Sequence, residues 1–168
     1  MNTLKKITIY TRGISTAYKT GGYGVILVYG SHRRELCGKS ENSSNNRMDI
    51  LAAVEGLRAL KVPCEVTLYN TNTYLTDVVN RGWIKRWLEN GWRTKENKPV
   101  SHSDLWENLL NLCSIHNVSF LWFPYDSSNP DYARCDVIAR EAAGRWSADR
   151  ELPKCFRFMQ HESNMTAC

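Results

Sequence analysis

No apolar run in this chain of 168 residues approaches the roughly 20 needed to cross a bilayer. Met1 to Tyr10 alternates charged and β-branched residues and lacks the apolar centre of a secretory signal. A soluble, cytoplasmic protein without a membrane partner is therefore expected. There is no Cys-x-x-Cys and no Cys/His cluster: Cys37, Cys64, Cys113, Cys135, Cys155 and Cys168 stand far apart. Such spacing speaks against a zinc site and a disulfide framework and for reduced, inert thiols. Disorder, collagen and repeat arrays do not suit a chain with 42% hydrophobic and 11% aromatic residues. At this length one domain with a sizeable core is expected.

Charge is what the chain has unevenly. The net charge is +5, and Arg81 to Lys98 holds six basic residues (Arg81, Lys85, Arg86, Arg93, Lys95, Lys98) against Glu89 and Glu96, with three of the six tryptophans. A charge run is ordinarily a solvated face, but this one could also meet phosphates. The first third reads as antiparallel strands, over Lys6 to Thr11, Gly22 to Tyr29 and Glu35 to Lys39. Asn46 to Leu60 carries Met48, Leu51, Ala52, Val54 and Leu57 as a helical stripe, with Pro63 beyond its end. A strand over Cys64 to Tyr69, a short helix over Thr73 to Val79 and an amphipathic segment over Arg81 to Trp92 follow. Next come a helix over Ser103 to His116, a strand over Val118 to Phe123, a loop over Pro124 to Asp131 and an Ala-rich helix over Tyr132 to Trp146. The domain is taken as 1–146 and the aperiodic stretch 147–168 as a C-terminal tail.

Seven pieces occur in order: ITIYTRGIS, TGGYGVIL, SSNNRMDILAAVEGLRAL, CEVTLYNTNTYL, WIKRWLENGWRTKENKPV, SDLWENLL and NPDYARCDVIAREAA. Together they resemble the type 1 ribonuclease H family over roughly Lys6 to Trp146. The resemblance implies an α/β fold, a five-stranded mixed sheet of order 3-2-1-4-5 flanked by helices. It also implies hydrolysis of the RNA strand of RNA/DNA hybrids by two Mg²⁺ ions on four carboxylates. In-line attack on a phosphodiester needs an activated water and a stabilised leaving oxygen, which two hard cations supply through oxygen ligands.

The carboxylates do not carry over. The first-strand Asp position is Arg12, the first-helix Glu is Asp49, the fourth-strand Asp is Thr71, and only the last-helix Asp remains, as Asp136. The family's mobile His falls in the loop Pro124 to Pro130, where this chain has Asp126 and no His. A guanidinium among these carboxylates can take the place of the metals, so Arg12 is expected at the ends of the central strands, bonded to Asp49, Asp136 or both. No metal or other cofactor is expected; Mg²⁺ enters only if Asp49, Asp126 and Asp136 form a rebuilt site.

The resemblance also places a nucleic-acid surface. Asn45 and Asn46 match the pair that reads the hybrid's minor groove, and they are also ordinary capping residues for a helix starting near Arg47. Ser44 and His102 fall on a phosphate pocket, with His102 in place of an Asn. Lys85, Arg86, Trp87, Trp92, Arg93, Lys95 and Lys98 fall on the basic handle, diluted by Leu88, Glu89 and Asn90. Trp83 and Trp87, at i,i+4, are more ordinarily packing residues than stacking platforms. The leading reading is a non-catalytic pseudo-nuclease that binds RNA/DNA hybrid or other duplex nucleic acid. An active hybrid endoribonuclease with a rebuilt metal site and a scaffold for a protein partner are the alternatives.

Overall fold

The computed structural model describes residues 3–126 and 128–144. The expected tail over 147–168 lies outside the described residues. In chain order the elements are β1 (Lys5–Ser15), β2 (Gly21–Tyr29), β3 (His32–Ser40), α1 (Asn45–Arg58), β4 (Cys64–Asn70), α2 (Thr73–Asn80), α3 (Trp83–Glu89), α4 (Ser103–Ile115), β5 (Asn117–Trp122) and α5 (Pro130–Gly144). They build one five-stranded sheet of order β3-β2-β1-β4-β5. β1, β2 and β3 are mutually antiparallel, and β4 and β5 run parallel to β1. This is the sheet expected from the sequence.

β1 and β3 run longer than their alternation suggests. β1 extends to Ser15 because Gly13, Ile14 and Ser15 keep pairing with Tyr23, Gly22 and Gly21. α5 starts two residues early, at Pro130. Asn129 supplies the cap there: its Oδ1 accepts from the Tyr132 N–H at 3.0 Å, and proline suits the first helical position.

Side-chain alternation along β1 and β2 decides what meets what. Ile7 and Ile9 of β1 and Val25 of β2 join α1 in the main core, and Gly56 of α1 lies against Ile9 and Val25. On the other face Tyr10 joins Ile26, Cys37, Cys135 and Ile138 under α5. Glycines permit both approaches. A Cβ at Gly13 would overlap the backbone of Met48 and Asp49 in α1, and one at Gly24 would overlap the Cys135 carbonyl of α5. α1 and α5 are thereby drawn onto opposite faces of β1 and β2, each presenting a carboxylate near the end of β1.

Cys64, Cys113 and Cys135 are free thiols, as expected. Cys37 corrects that expectation, being disulfide-bonded. Among the described residues no helix is long and apolar enough to cross a membrane.

Candidate active site and nucleic-acid surface

Arg12 sits opposite Gly24 in the β1–β2 ladder, and cross-strand partners share a face, so its side chain lies on the α5 side. Its Nε donates to Asp136 Oδ1 at 2.9 Å and its Nη1 to Thr71 Oγ1 at 3.2 Å. Arg140, one turn further along α5, donates through Nε to the other oxygen, Asp136 Oδ2, at 2.7 Å. The Asp136 side chain is only 7% exposed. Burial alone would push its carboxyl up, but the bonds from Arg140 and Arg12 outweigh burial and hold it below the usual carboxylate range. Arg12 in turn is partly desolvated, which favours losing its proton; the Asp136 bond reverses that and keeps the guanidinium charged.

Of the two expected partners, Asp49 and Asp136, Arg12 bonds Asp136 alone among the described residues. Asp49 belongs to α1, on the opposite face of the sheet, and is 2% exposed. Its Oδ1 accepts from the Gly13 N–H at 2.7 Å and from Asn70 Nδ2 at 3.2 Å, and its Oδ2 accepts from Asn72 Nδ2 at 3.0 Å. Burial raises its pKa, and the bonds from Asn72, Gly13 and Asn70 only partly offset this. Asp49 and Asp136 therefore do not form one salt-bridge cluster: one carboxylate is caged by amides, the other clamped by two arginines.

Four members of this arrangement, Asn70, Asn72, Tyr132 and Arg140, were not singled out in the sequence. Buried Asn70 also donates to Thr11 Oγ1 at 2.8 Å. Asn72 caps α2, accepting from the Tyr74 N–H at 2.9 Å, while its amide bridges Asp49 and Asn46. Fully buried Tyr132 donates its hydroxyl to Thr71 Oγ1 at 3.0 Å. Burial pushes the Tyr132 phenol up to about 12, against the Thr71 bond and Arg12 that lower it, so it remains a neutral donor. The available signal was local: Asn-Thr-Asn straddles Thr71 at a strand end followed by a helix, the composition of a capped junction.

The donor set does not fit two Mg²⁺ ions. Among the described residues no three His, Cys, Asp or Glu side chains come together as a metal site. The rebuilt set of Asp49, Asp126 and Asp136 is not assembled among the described residues, and Asp126 instead accepts from the Ser128 N–H at 2.8 Å and the Ser128 hydroxyl at 2.7 Å within its own loop. A cation between Asp49 and Asp136 would be repelled by Arg12, whose charge acts on both.

The expected nucleic-acid residues lie at the start of α1, in α3 and the segment that follows it, and at the start of α4. Ser44, not the Asn pair, caps α1: its Oγ accepts from the Arg47 N–H at 3.2 Å. Asn45 Oδ1 instead accepts from the Ser15 N–H at 2.7 Å and Asn46 Oδ1 from Asn72 at 2.8 Å; both residues are exposed. His102 Nδ1 lies 3.4 Å from Arg47 Nη1, whose guanidinium grips Asp104 through both terminal nitrogens. Trp87 packs between Trp83 and Trp106, with ring centroids at 6.1 and 6.0 Å, and Trp92 also packs on the core. These rings are chiefly packing residues. Lys85, Arg86, Arg93, Lys95 and Lys98 are exposed, and among the described residues none has an acidic partner. Arg86 and Arg93 line a recess of about 670 Å³ with Trp83, Trp87, Asn90 and Lys95.

The five-stranded sheet of order 3-2-1-4-5 with its flanking helices is that of an RNase H-type domain. The RNase H family model matches residues 4–144, and the chain belongs to that family. It is 48% identical over 142 residues to Ribonuclease H of Syntrophus aciditrophicus, covering 84% of this chain and 82% of that protein. It is 45% identical over 139 residues to Ribonuclease H of Chlorobium phaeobacteroides strain BS1, covering 82% and 95%. Among solved structures it resembles LC9-RNase H1, a type 1 RNase H with the type 2 active-site motif, with TM-score 0.74, 20% identity and coverage of 88% and 76%. It also resembles LC11-RNase H1, solved in complex with RNA/DNA hybrid, with TM-score 0.60, 18% identity and coverage of 82% and 96%.

Proposed function

We propose that this RNase H family member binds RNA/DNA hybrid, or a duplex of similar shape, without cleaving it by the two-metal route. One observation carries the reading: Arg12 occupies the end of β1 with its Nε on Asp136 Oδ1 at 2.9 Å, a cation built from the chain itself. Two-metal hydrolysis needs oxygen anions around its ions, and Arg12 and Thr71 supply none. Binding is supported by the exposed cations Lys85, Arg86, Arg93, Lys95 and Lys98, which have no acidic partner among the described residues, and by the exposed amides of Asn45 and Asn46. It is supported too by the fold shared with LC11-RNase H1, solved with a hybrid.

A second reading, an active endoribonuclease, draws on the 48% identity to a protein named Ribonuclease H. One assay decides. Labelled hybrid is incubated with the full chain in Mg²⁺ and in Mn²⁺, and binding is followed by fluorescence anisotropy as salt is raised. The expected result is intact RNA and an affinity that falls steeply with salt, by a log–log slope of about 0.9 for each phosphate contact. Chelator-sensitive cleavage that copurifies with the protein and is lost in Asp136→Asn establishes the second reading. If no hybrid is bound at low salt, a protein-interaction scaffold replaces both.

A further inference from the structure

We propose that the centre of this domain is a metal-free phosphate subsite, in which Arg12 receives one phosphodiester of a bound nucleic-acid strand. The inference rests on the hybrid-binding reading and adds to it where on the protein the backbone is gripped. Its basis is an inversion of charge. Asp136 gives one negative charge, and both its oxygens are taken by guanidinium groups, from Arg12 at 2.9 Å and Arg140 at 2.7 Å. The trio carries a net positive charge. Asp49, the carboxylate on the α1 side, is 2% exposed and held by Gly13, Asn70 and Asn72. What solvent meets at this point is cationic.

Arg12 is also shaped for the purpose. Nε and Nη1 are fixed on Asp136 and Thr71, while Nη2 donates to no described residue, and the side chain is 24% exposed. Thr71 is itself fixed by the Tyr132 hydroxyl. A guanidinium already held through Nε and Nη1, with Nη2 left over, loses little conformational freedom when it takes a phosphate oxygen. Lysine would offer a point charge without the fork. One partly exposed guanidinium beside a carboxylate is a weak site for a free anion. It suits one contact among several along a polyanion, and the exposed Lys85, Arg86 and Arg93, without acidic partners among the described residues, provide others. The ligand is therefore a backbone phosphodiester rather than a mononucleotide or inorganic phosphate.

The test uses the full chain in excess EDTA and a short fluorescent RNA/DNA hybrid. Uncharged methylphosphonate linkages are placed one at a time along the RNA strand and then the DNA strand. In the unmodified protein one linkage should lower affinity by about tenfold, the weight of one charge-assisted hydrogen bond. In Arg12→Gln that linkage should have no effect beyond about twofold, while the log–log salt slope falls by about 0.9. Inorganic phosphate at the same ionic strength should compete no better than chloride. Arg12→Met, which keeps the aliphatic stem, replaces Arg12→Gln if circular dichroism shows the latter unfolded. A hybrid that binds but shows no linkage whose loss depends on Arg12 overturns this inference alone. Absence of any hybrid binding overturns the hybrid-binding reading as well, and displacement by inorganic phosphate reassigns the site to a free anion.

Discussion

Asp136 is shared by two guanidinium groups of unequal exposure, and removing them singly and together should reveal it. The Arg140 side chain is 59% exposed, so Arg140→Ala should cost only about 0.5–1 kcal/mol, as exposed pairs do. Arg12→Ala removes a more sheltered bond but leaves Arg140 on Oδ2, and Thr71 keeps Tyr132. Its expected cost is about 1.5–3 kcal/mol, the range for a hydrogen bond to a charged group. The double variant leaves a carboxylate with 7% exposure and neither cation, which is the costly case of an orphaned buried charge. It should cost about 5 kcal/mol or more at pH 7, exceeding the sum of the single changes by about 1–3 kcal/mol. Urea unfolding of the four proteins measures this cycle. Repeating it near pH 4.5 should shrink the excess, because without its guanidinium partners buried Asp136 takes up a proton more readily. Costs that add to within about 0.5 kcal/mol at pH 7 would refute the shared clamp.

Restoring carboxylates with Arg12→Asp and Thr71→Asp together should create divalent-metal affinity, seen as a melting temperature that rises with Mn²⁺ or Mg²⁺, whereas either change alone should show none. Asp136, held low in the folded state, adds stability that is fully present above its unfolded pKa of about 3.9 and is lost as pH falls through its folded value. Asp136→Asn should therefore flatten the acid limb of urea stability measured between pH 3 and 6. Asp49, raised in the folded state, works in the opposite sense: its contribution is present below the unfolded pKa and disappears as pH rises through the folded one. Gly13→Ala should cost more than about 4 kcal/mol, since its Cβ would meet the backbone of Met48 and Asp49; an unchanged urea midpoint would show that α1 can retreat.

Strand and helix periodicity, the order of the seven segments and the non-acidic residues Arg12 and Thr71 were all legible in the linear chain. So was the architecture, because each local pattern agrees with the sheet that forms. The resemblance also put a cation, Arg12, at a position where a carboxylate is expected. It could not say which carboxylate that cation would choose. Both Asp49 and Asp136 lie near the end of β1, but they belong to helices on opposite faces of the sheet, and the alternation of β1 turns Arg12 toward α5. Nor could it show that Asp49 keeps its place by three neutral donors. Asn70 and Asn72 come from the end of β4 and the cap of α2, and Gly13 lends its backbone only because it has no Cβ to hold α1 away. Residue types are fixed by the chain; whether a charge finds a partner depends on which face of a strand meets which helix, and that is settled only when the layers pack.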